Sequence, residues 1–280
     1  MDNLTLTAYA KLNLTMEVLN RRPDGYHTIR SLMQFISLGD RVELRKTGQF
    51  SFWCSDPALG GADNLAVRAW QLLARDYPVG PVAIRLWKET PCMSGMGGGS
   101  ADAAAVLHGL NDLFGLGLSL DTLCRLGGTL GADVPACLHG GTLLAQGIGE
   151  KITPIPVAGT LWYCVVKPDV AFSTPDMYRR MDEAAAFDPP ADLTAAQAAL
   201  AAGDPQGIAS QLRNSFMAVA QPLEPLETAL NALKQTGALG AGMTGAGSAV
   251  FGVYAGQAAA QTAFEQLQKQ GHTVWCCRSL

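Results

Sequence analysis

The chain has 280 residues, 48% hydrophobic and 16% charged, which suits a globular protein with a sizeable core and excludes a disordered chain. A net charge of −4 gives no general basic field, so nucleic acid is not an expected partner and an anionic ligand needs local positive sites. Seven cysteines without a CxxC pair point to reduced thiols in the cytoplasm, the first residues lack a basic-then-apolar leader, and no run of about 18 apolar residues suggests a membrane span.

In chain order, β-rich runs occupy residues 4–10 and 12–19, and Pro23, Asp24 and Gly25 supply a turn after them. Strands are predicted at 41–45, 49–53 and 82–87. Residues 63–77 read as a helix, with Leu65, Ala69, Leu72 and Leu73 on one stripe and Asp63 as N-cap. Two more helices are predicted at 98–114 and 119–130, the second capped by Ser119. Short strands at 142–146 and 151–154 precede a linker at 154–159 and an apolar strand at 161–167. Helical patterns follow at 174–186, 194–202, 205–219 and 223–235, with Gly237 as the stop of the last. A strand at 249–254, a helix at 258–270 and a strand at 273–277 close the chain. The interleaving is not a regular βαβ repeat, so the expectation is an α+β protein of two domains, 1–155 and 156–280.

The most informative segment runs from Pro91 to Ala104, with Gly95, Gly97, Gly98 and Gly99 between a strand and an Ala/Leu helix. Glycine admits close backbone approach, and a helix start offers open N–H groups and a positive dipole end. The segment is either a flexible turn or an anion cradle fit for a triphosphate. It is not a Walker A loop, because no Gly-Lys-Ser/Thr follows, and its spacing is a poor dinucleotide fingerprint. Lys11, inside an apolar run, is either an edge-strand charge turned to water or a desolvated functional cation. Tyr26 and His27 alone read as packing residues at a helix start. Asp133, between apolar neighbours before Pro135, reads as a helix C-terminal or loop cap or as a functional acid.

Pro91…Gly95-Met96-Gly97-Gly98-Gly99-Ser100 resembles the phosphate-binding motif of the GHMP kinases. The triple glycine followed by Ser-x-Asp-Ala-Ala is similar to the branch of that family acting on a cytidine-diphosphate-linked methylerythritol. One departure is Ala101, where the family carries a second serine. Ala8–Leu14, the Asp24-Gly25-Tyr26-His27 signature, Gly131-Ala132-Asp133 and Gly240–Phe251 resemble further family segments.

The resemblance implies a two-domain GHMP kinase fold, with an N-terminal domain like ribosomal protein S5 domain 2 and a ferredoxin-like α/β C-terminal domain. It implies Lys11 and Asp133 as catalytic residues. ATP would be held by Asn64, Lys88, Pro91, Met93, Ser94, Gly95, Met96, Gly97, Gly98, Gly99 and Ser100. The substrate would meet Asn13, Tyr26, His27, Thr174, Thr244 and Gly245, with Tyr26 and His27 on the cytosine ring. Mg²⁺ is expected with ATP; its ligands are not readable from the sequence, and Ser100 is a candidate. The implied reaction phosphorylates the 2-hydroxyl of the methylerythritol unit in non-mevalonate isoprenoid synthesis; homoserine or mevalonate is the alternative acceptor. A monomer or weak homodimer in the cytoplasm is expected.

Overall fold

The structure, a computed structural model, describes residues 2–280. In chain order the elements are β1 (Asn3–Asn13), β2 (Thr15–Arg21), β3 (His27–Lys46), β4 (Ser51–Cys54), α1 (Leu65–Asp76), β5 (Val82–Trp87), α2 (Gly98–Phe114), α3 (Leu120–Gly128) and α4 (Val134–His139). There follow β6 (Thr142–Gly147), β7 (Lys151–Pro154), β8 (Trp162–Val166), α5 (Thr174–Ala184), α6 (Thr194–Ala202), α7 (Pro205–Ala209) and β9 (Arg213–Asn214). The chain ends with α8 (Glu224–Gln235), β10 (Gly240–Met243), β11 (Val250–Tyr254), α9 (Gln257–Lys269) and β12 (Val274–Arg278).

Two compact units divide the chain, and neither is contiguous in sequence. The first contains residues 2–10, 38–91 and 97–140; the second contains 11–37, 92–96 and 141–280. In the first, residues 41–46 of β3 pair antiparallel with β5, and β4 pairs parallel with β5. Leu44, Ile84 and Leu86 face Ala69, Leu73, Ala103, Leu107 and Leu110 of α1 and α2 in one core. Each such leucine or isoleucine contributes about 1.5–3 kcal/mol by leaving water. The alanines of α2 let it lie deep among its neighbours, and a Cβ on Gly109 would come within 2.4 Å of Leu44.

In the second unit β10, β11, β8 and β12 form an antiparallel sheet in that order. Every residue of β11 is buried, as are residues 163–166, which explains their unbroken apolar character. Leu226 and Leu233 of α8 and Ala260, Ala263 and Leu267 of α9 join the core of this unit. The same unit holds residues 27–34 of β3 between β2 and β6, with β7 beyond β6 and a parallel β9 beside β2.

Several local expectations change. β3 is 20 residues long and starts at His27, so Tyr26 and His27 precede and open a strand, not a helix. Its middle is buried on both faces, which erases the alternation that marks a half-exposed strand. The N-cap of α1 is Asn64, whose Oδ1 accepts from Ala66 N at 2.9 Å, in place of Asp63. The helix expected over 205–219 stops after Ala209. Arg213 then reaches buried Glu17 and Asn214 turns its amide to other backbone, so tertiary partners override local propensity. Asp133 is the N-cap residue of the short α4, with Pro135 in its first turn. No helix among the described residues is long and apolar enough to cross a membrane.

Candidate active site

In the first unit the glycine segment ends in Gly97, the N-cap of α2, at φ 72°, a conformation glycine adopts without strain. No side chain caps this helix, and the first amide bonded back is Ala101 N, to Gly97 O at 2.9 Å. The amides of Gly98, Gly99 and Ser100 therefore stand at the positive end of a 17-residue helix. Ala101 is buried, so the family's second hydroxyl has no substitute at that position.

Beneath this helix start lies a cluster of charges. Lys88 Nζ donates to Asp102 Oδ2 at 2.6 Å and to Asp40 Oδ2, while Asp40 Oδ1 accepts from the amides of Glu89 at 2.6 Å and Thr90 at 2.8 Å. Both carboxylates are buried. Burial opposes the ammonium of Lys88, but Asp102 and Asp40 outweigh it and raise its pKa above the ordinary lysine value. Burial pushes the Asp102 carboxyl up to about 7, with Lys88 opposing and Asp40 reinforcing the rise.

Asn64 uses both ends of its amide locally, since its Nδ2 donates to Leu59 O at 2.9 Å while its Oδ1 caps α1. Asp133 is half-buried in the turn before α4. A Cβ on Gly131 of that turn would stand 3.7 Å from Ser100 Oγ, so the turn and the start of α2 are neighbours.

In the second unit the side chain of Lys11 is buried, at 4% exposure, which removes the solvent-edge reading. Its Nζ donates to Asn13 Oδ1 at 2.6 Å and to Gly95 O at 2.8 Å. Asn13 in turn donates its amide N–H to Thr244 Oγ1 at 3.0 Å and its Nδ2 to Ser31 Oγ at 2.7 Å. Residues 92–96 are bolted to the turn after β10: Ser248 N donates to Met93 O and Ala249 N to Ser94 O. Gly95, at φ 75°, passes so close that a Cβ there would lie 2.1 Å from Thr244 O. Ser94 and Met96 are buried, Met93 is exposed, and Pro91, of the first unit, is half-buried.

Tyr26 is exposed at 59%, whereas His27 is buried. The His27 ring stacks on Tyr178 at 4.5 Å, has Phe187 at 6.1 Å, and its Nε2 bonds Asp182 Oδ1 at 2.7 Å. Thr174, exposed, opens α5 after the Ser173 cap.

The family models for the GHMP kinase N-terminal domain and the GHMP kinase C-terminal domain match residues 64–141 and 196–273. The chain belongs to the GHMP kinases. It is 43% identical to a 4-diphosphocytidyl-2-C-methyl-D-erythritol kinase of Symbiobacterium thermophilum over 99% of this chain and 100% of that one. A relative of the same name from Moorella thermoacetica is 42% identical, covering 96% of each chain. A crystal structure of 4-(cytidine 5'-diphospho)-2C-methyl-D-erythritol kinase matches at TM-score 0.84 and 34% identity over 99% of both chains. The homoserine kinase of Cytophaga hutchinsonii shares the fold at TM-score 0.73 and 20% identity.

As a GHMP kinase the protein is a small-molecule phosphotransferase with ATP as co-substrate. Its α+β fold of two GHMP domains is the expected one. Sequence reasoning did not single out Asp40, Ser31, Asn214, Tyr178 or Asp182. Asn214 holds the glycine turn after β10, its Nδ2 donating to Met243 O and Gly245 O at 2.8 Å each. A polar residue inside an apolar β-run, as at Ser31 and Asp40, was the available signal.

Proposed function

We propose that this GHMP kinase transfers the γ-phosphoryl group of ATP to the 2-hydroxyl of 4-diphosphocytidyl-2-C-methyl-D-erythritol. The products are ADP and the 2-phosphate, a step toward isoprenoid precursors on the non-mevalonate route in the cytoplasm. The observation that carries the reading is full-length likeness, in sequence and in structure, to kinases of that substrate. The open amides at the start of α2 and the buried ammonium of Lys11 support it.

The backbone from Gly95 to Ser100 holds the ATP phosphates, with Pro91, Met93 and Ser94 shaping the approach and Asn64 and Lys88 toward the nucleotide. Phosphoryl transfer asks chiefly for positioning and charge neutralisation. The 2-hydroxyl oxygen attacks the γ-phosphorus, the bond from that phosphorus to the β–γ bridging oxygen breaks, and ADP departs. Asp133 takes the hydroxyl proton, and Lys11 stabilises the oxygen as it gains charge. Among the described residues no three His, Cys, Asp or Glu side chains group as a metal site. Mg²⁺ is typically held mostly by phosphates and water, and here the Ser100 hydroxyl would be the protein's contribution. The ion neutralises phosphate charge when bound. Tyr26 and His27 receive the cytosine, while Asn13, Thr174, Thr244 and Gly245 line the rest of the substrate.

The test is ADP release from Mg-ATP with and without the cytidine-diphosphate-linked alcohol, alongside homoserine and mevalonate. Turnover that requires homoserine or mevalonate would overturn the acceptor. Asp133→Asn is expected to lower kcat by about 10²–10⁴-fold with ATP affinity little changed, the usual worth of a general base. Turnover near the wild-type rate removes Asp133 from that role.

A further inference from the structure

We propose that Asp40 and Asp102 are positioning residues for the nucleotide phosphates, clamping the Lys88 ammonium between the turn before the glycine segment and the helix after it. The inference rests on the reading that the start of α2 receives those phosphates.

Asp40, on β3, takes three donors: the ammonium of Lys88 and the amides of Glu89 and Thr90. It thereby fixes the backbone of residues 88–90, which leads from β5 into Pro91. Asp102, on the second turn of α2, takes the same ammonium from the other side. Its Oδ1 is buried with no hydrogen-bond partner, its Oδ2 is anchored by Lys88, and the Asp40 carboxyl is close enough to share a hydrogen bond with it.

The first helical residue rests directly on this knot. A Cβ on Gly98 would stand 3.0 Å from Thr90 Cγ2 and 3.5 Å from Lys88 Nζ. The direction of the Gly98, Gly99 and Ser100 amides is thus set by a turn that Asp40 holds and a cation that both carboxylates hold. Two buried carboxyl groups around one nearly buried ammonium are costly unless each is paired, which favours a single arrangement of the cluster. Neither carboxylate needs to touch ATP to govern how the helix start meets it.

Asp40→Asn keeps the side chain's size and loses the charge that holds Lys88. The expected result is an ATP KM and an ATP Kd raised about tenfold or more, with kcat at saturating ATP within about threefold and the alcohol KM unchanged. A merely structural role would lower the melting temperature and the active fraction without moving ATP affinity. A folded Asp40→Asn protein with wild-type ATP affinity, or one whose two KM values rise together, overturns the proposal. If Asp40→Asn does not fold, Asp102→Asn decides. It leaves all three bonds to Asp40 in place and is expected to weaken ATP about three- to tenfold; wild-type affinity there overturns the clamp equally. The underlying reading is checked by comparing ADP with adenosine. If the wild type binds both equally, the loop does not hold phosphates and both ideas fall. If the wild type prefers ADP and Asp40→Asn leaves that preference intact, the clamp alone falls.

Discussion

Asn13 is the residue on which the second unit's polar network turns. Its Oδ1 accepts the Lys11 ammonium, its N–H donates to Thr244, and its Nδ2 donates to Ser31, whose hydroxyl donates to Thr15 O at 2.5 Å. All four side chains are buried, so each bond sets the direction of the next. Ser31→Ala removes the acceptor that fixes which way the Asn13 amide faces. Its NH₂ then keeps only the weak contact to Met16 Sδ at 3.9 Å, and a buried amide so poorly satisfied costs about 1–3 kcal/mol, so the melting temperature is expected to fall by several degrees. With Lys11 less firmly held, kcat is expected to drop about tenfold while the ATP KM stays put; turnover at the wild-type rate would show that Lys11 needs no such support. The oddity of a lysine in an apolar run was legible from the sequence. Its partners were not, because Ser31 and Thr244 lie 20 and 233 positions from Lys11 and only folding brings them together.

At the scale of elements, α2 was readable to the residue, since its glycine start and its C-terminal Gly115 punctuate a run of alanine and leucine. The 20-residue β3 was half legible: its last third alternates, and its doubly buried middle does not. The packing of these two elements against the 88–90 turn creates the Asp40–Lys88–Asp102 cluster, and it makes stability depend on pH. In the folded chain the Asp102 carboxyl is raised to about 7 from an ordinary 3.8. Between those values the folded state keeps a proton that the unfolded state has released. Stability from this group is therefore complete below about pH 4 and is lost as pH rises toward 7, at no more than about 1.4 kcal/mol per pH unit. Above about 7 both states are ionised and the loss levels off. Melting curves without ligand, compared between the wild type and Asp102→Asn, should diverge across that window, with the wild type losing ground as pH rises. Parallel curves would show that Asp102 ionises normally.

For the whole molecule, two cores are built from interleaved pieces of chain, and residues of β1 and β3 are shared out between the units. A sequence reading looks for a linker and finds one at 154–159, but contacts gather residues 11–37 and 92–96 with the later part of the chain. The glycine segment itself is apportioned between the two, with 92–96 in one and Gly97 onward in the other. That division has a measurable counterpart. Of the backbone assigned to the nucleotide's phosphates, the open amides at the start of α2 belong to the first unit and Gly95 and Met96 to the second, while the cytosine is assigned to Tyr26 and His27 in the second. A ligand present at about 100 times its Kd stabilises the state it binds by about 2.7 kcal/mol, so amides released by opening of its unit should exchange up to about 100-fold more slowly. In hydrogen-exchange mass spectrometry ADP should protect 97–104 and 129–136 before other segments, whereas the cytidine-diphosphate-linked alcohol alone should protect 26–30 and 178–187. Protection of 26–30 by ADP alone, or of 97–104 by the alcohol alone, would mean that the two ligands have been assigned to the wrong units, because each ligand slows exchange chiefly where it holds the backbone.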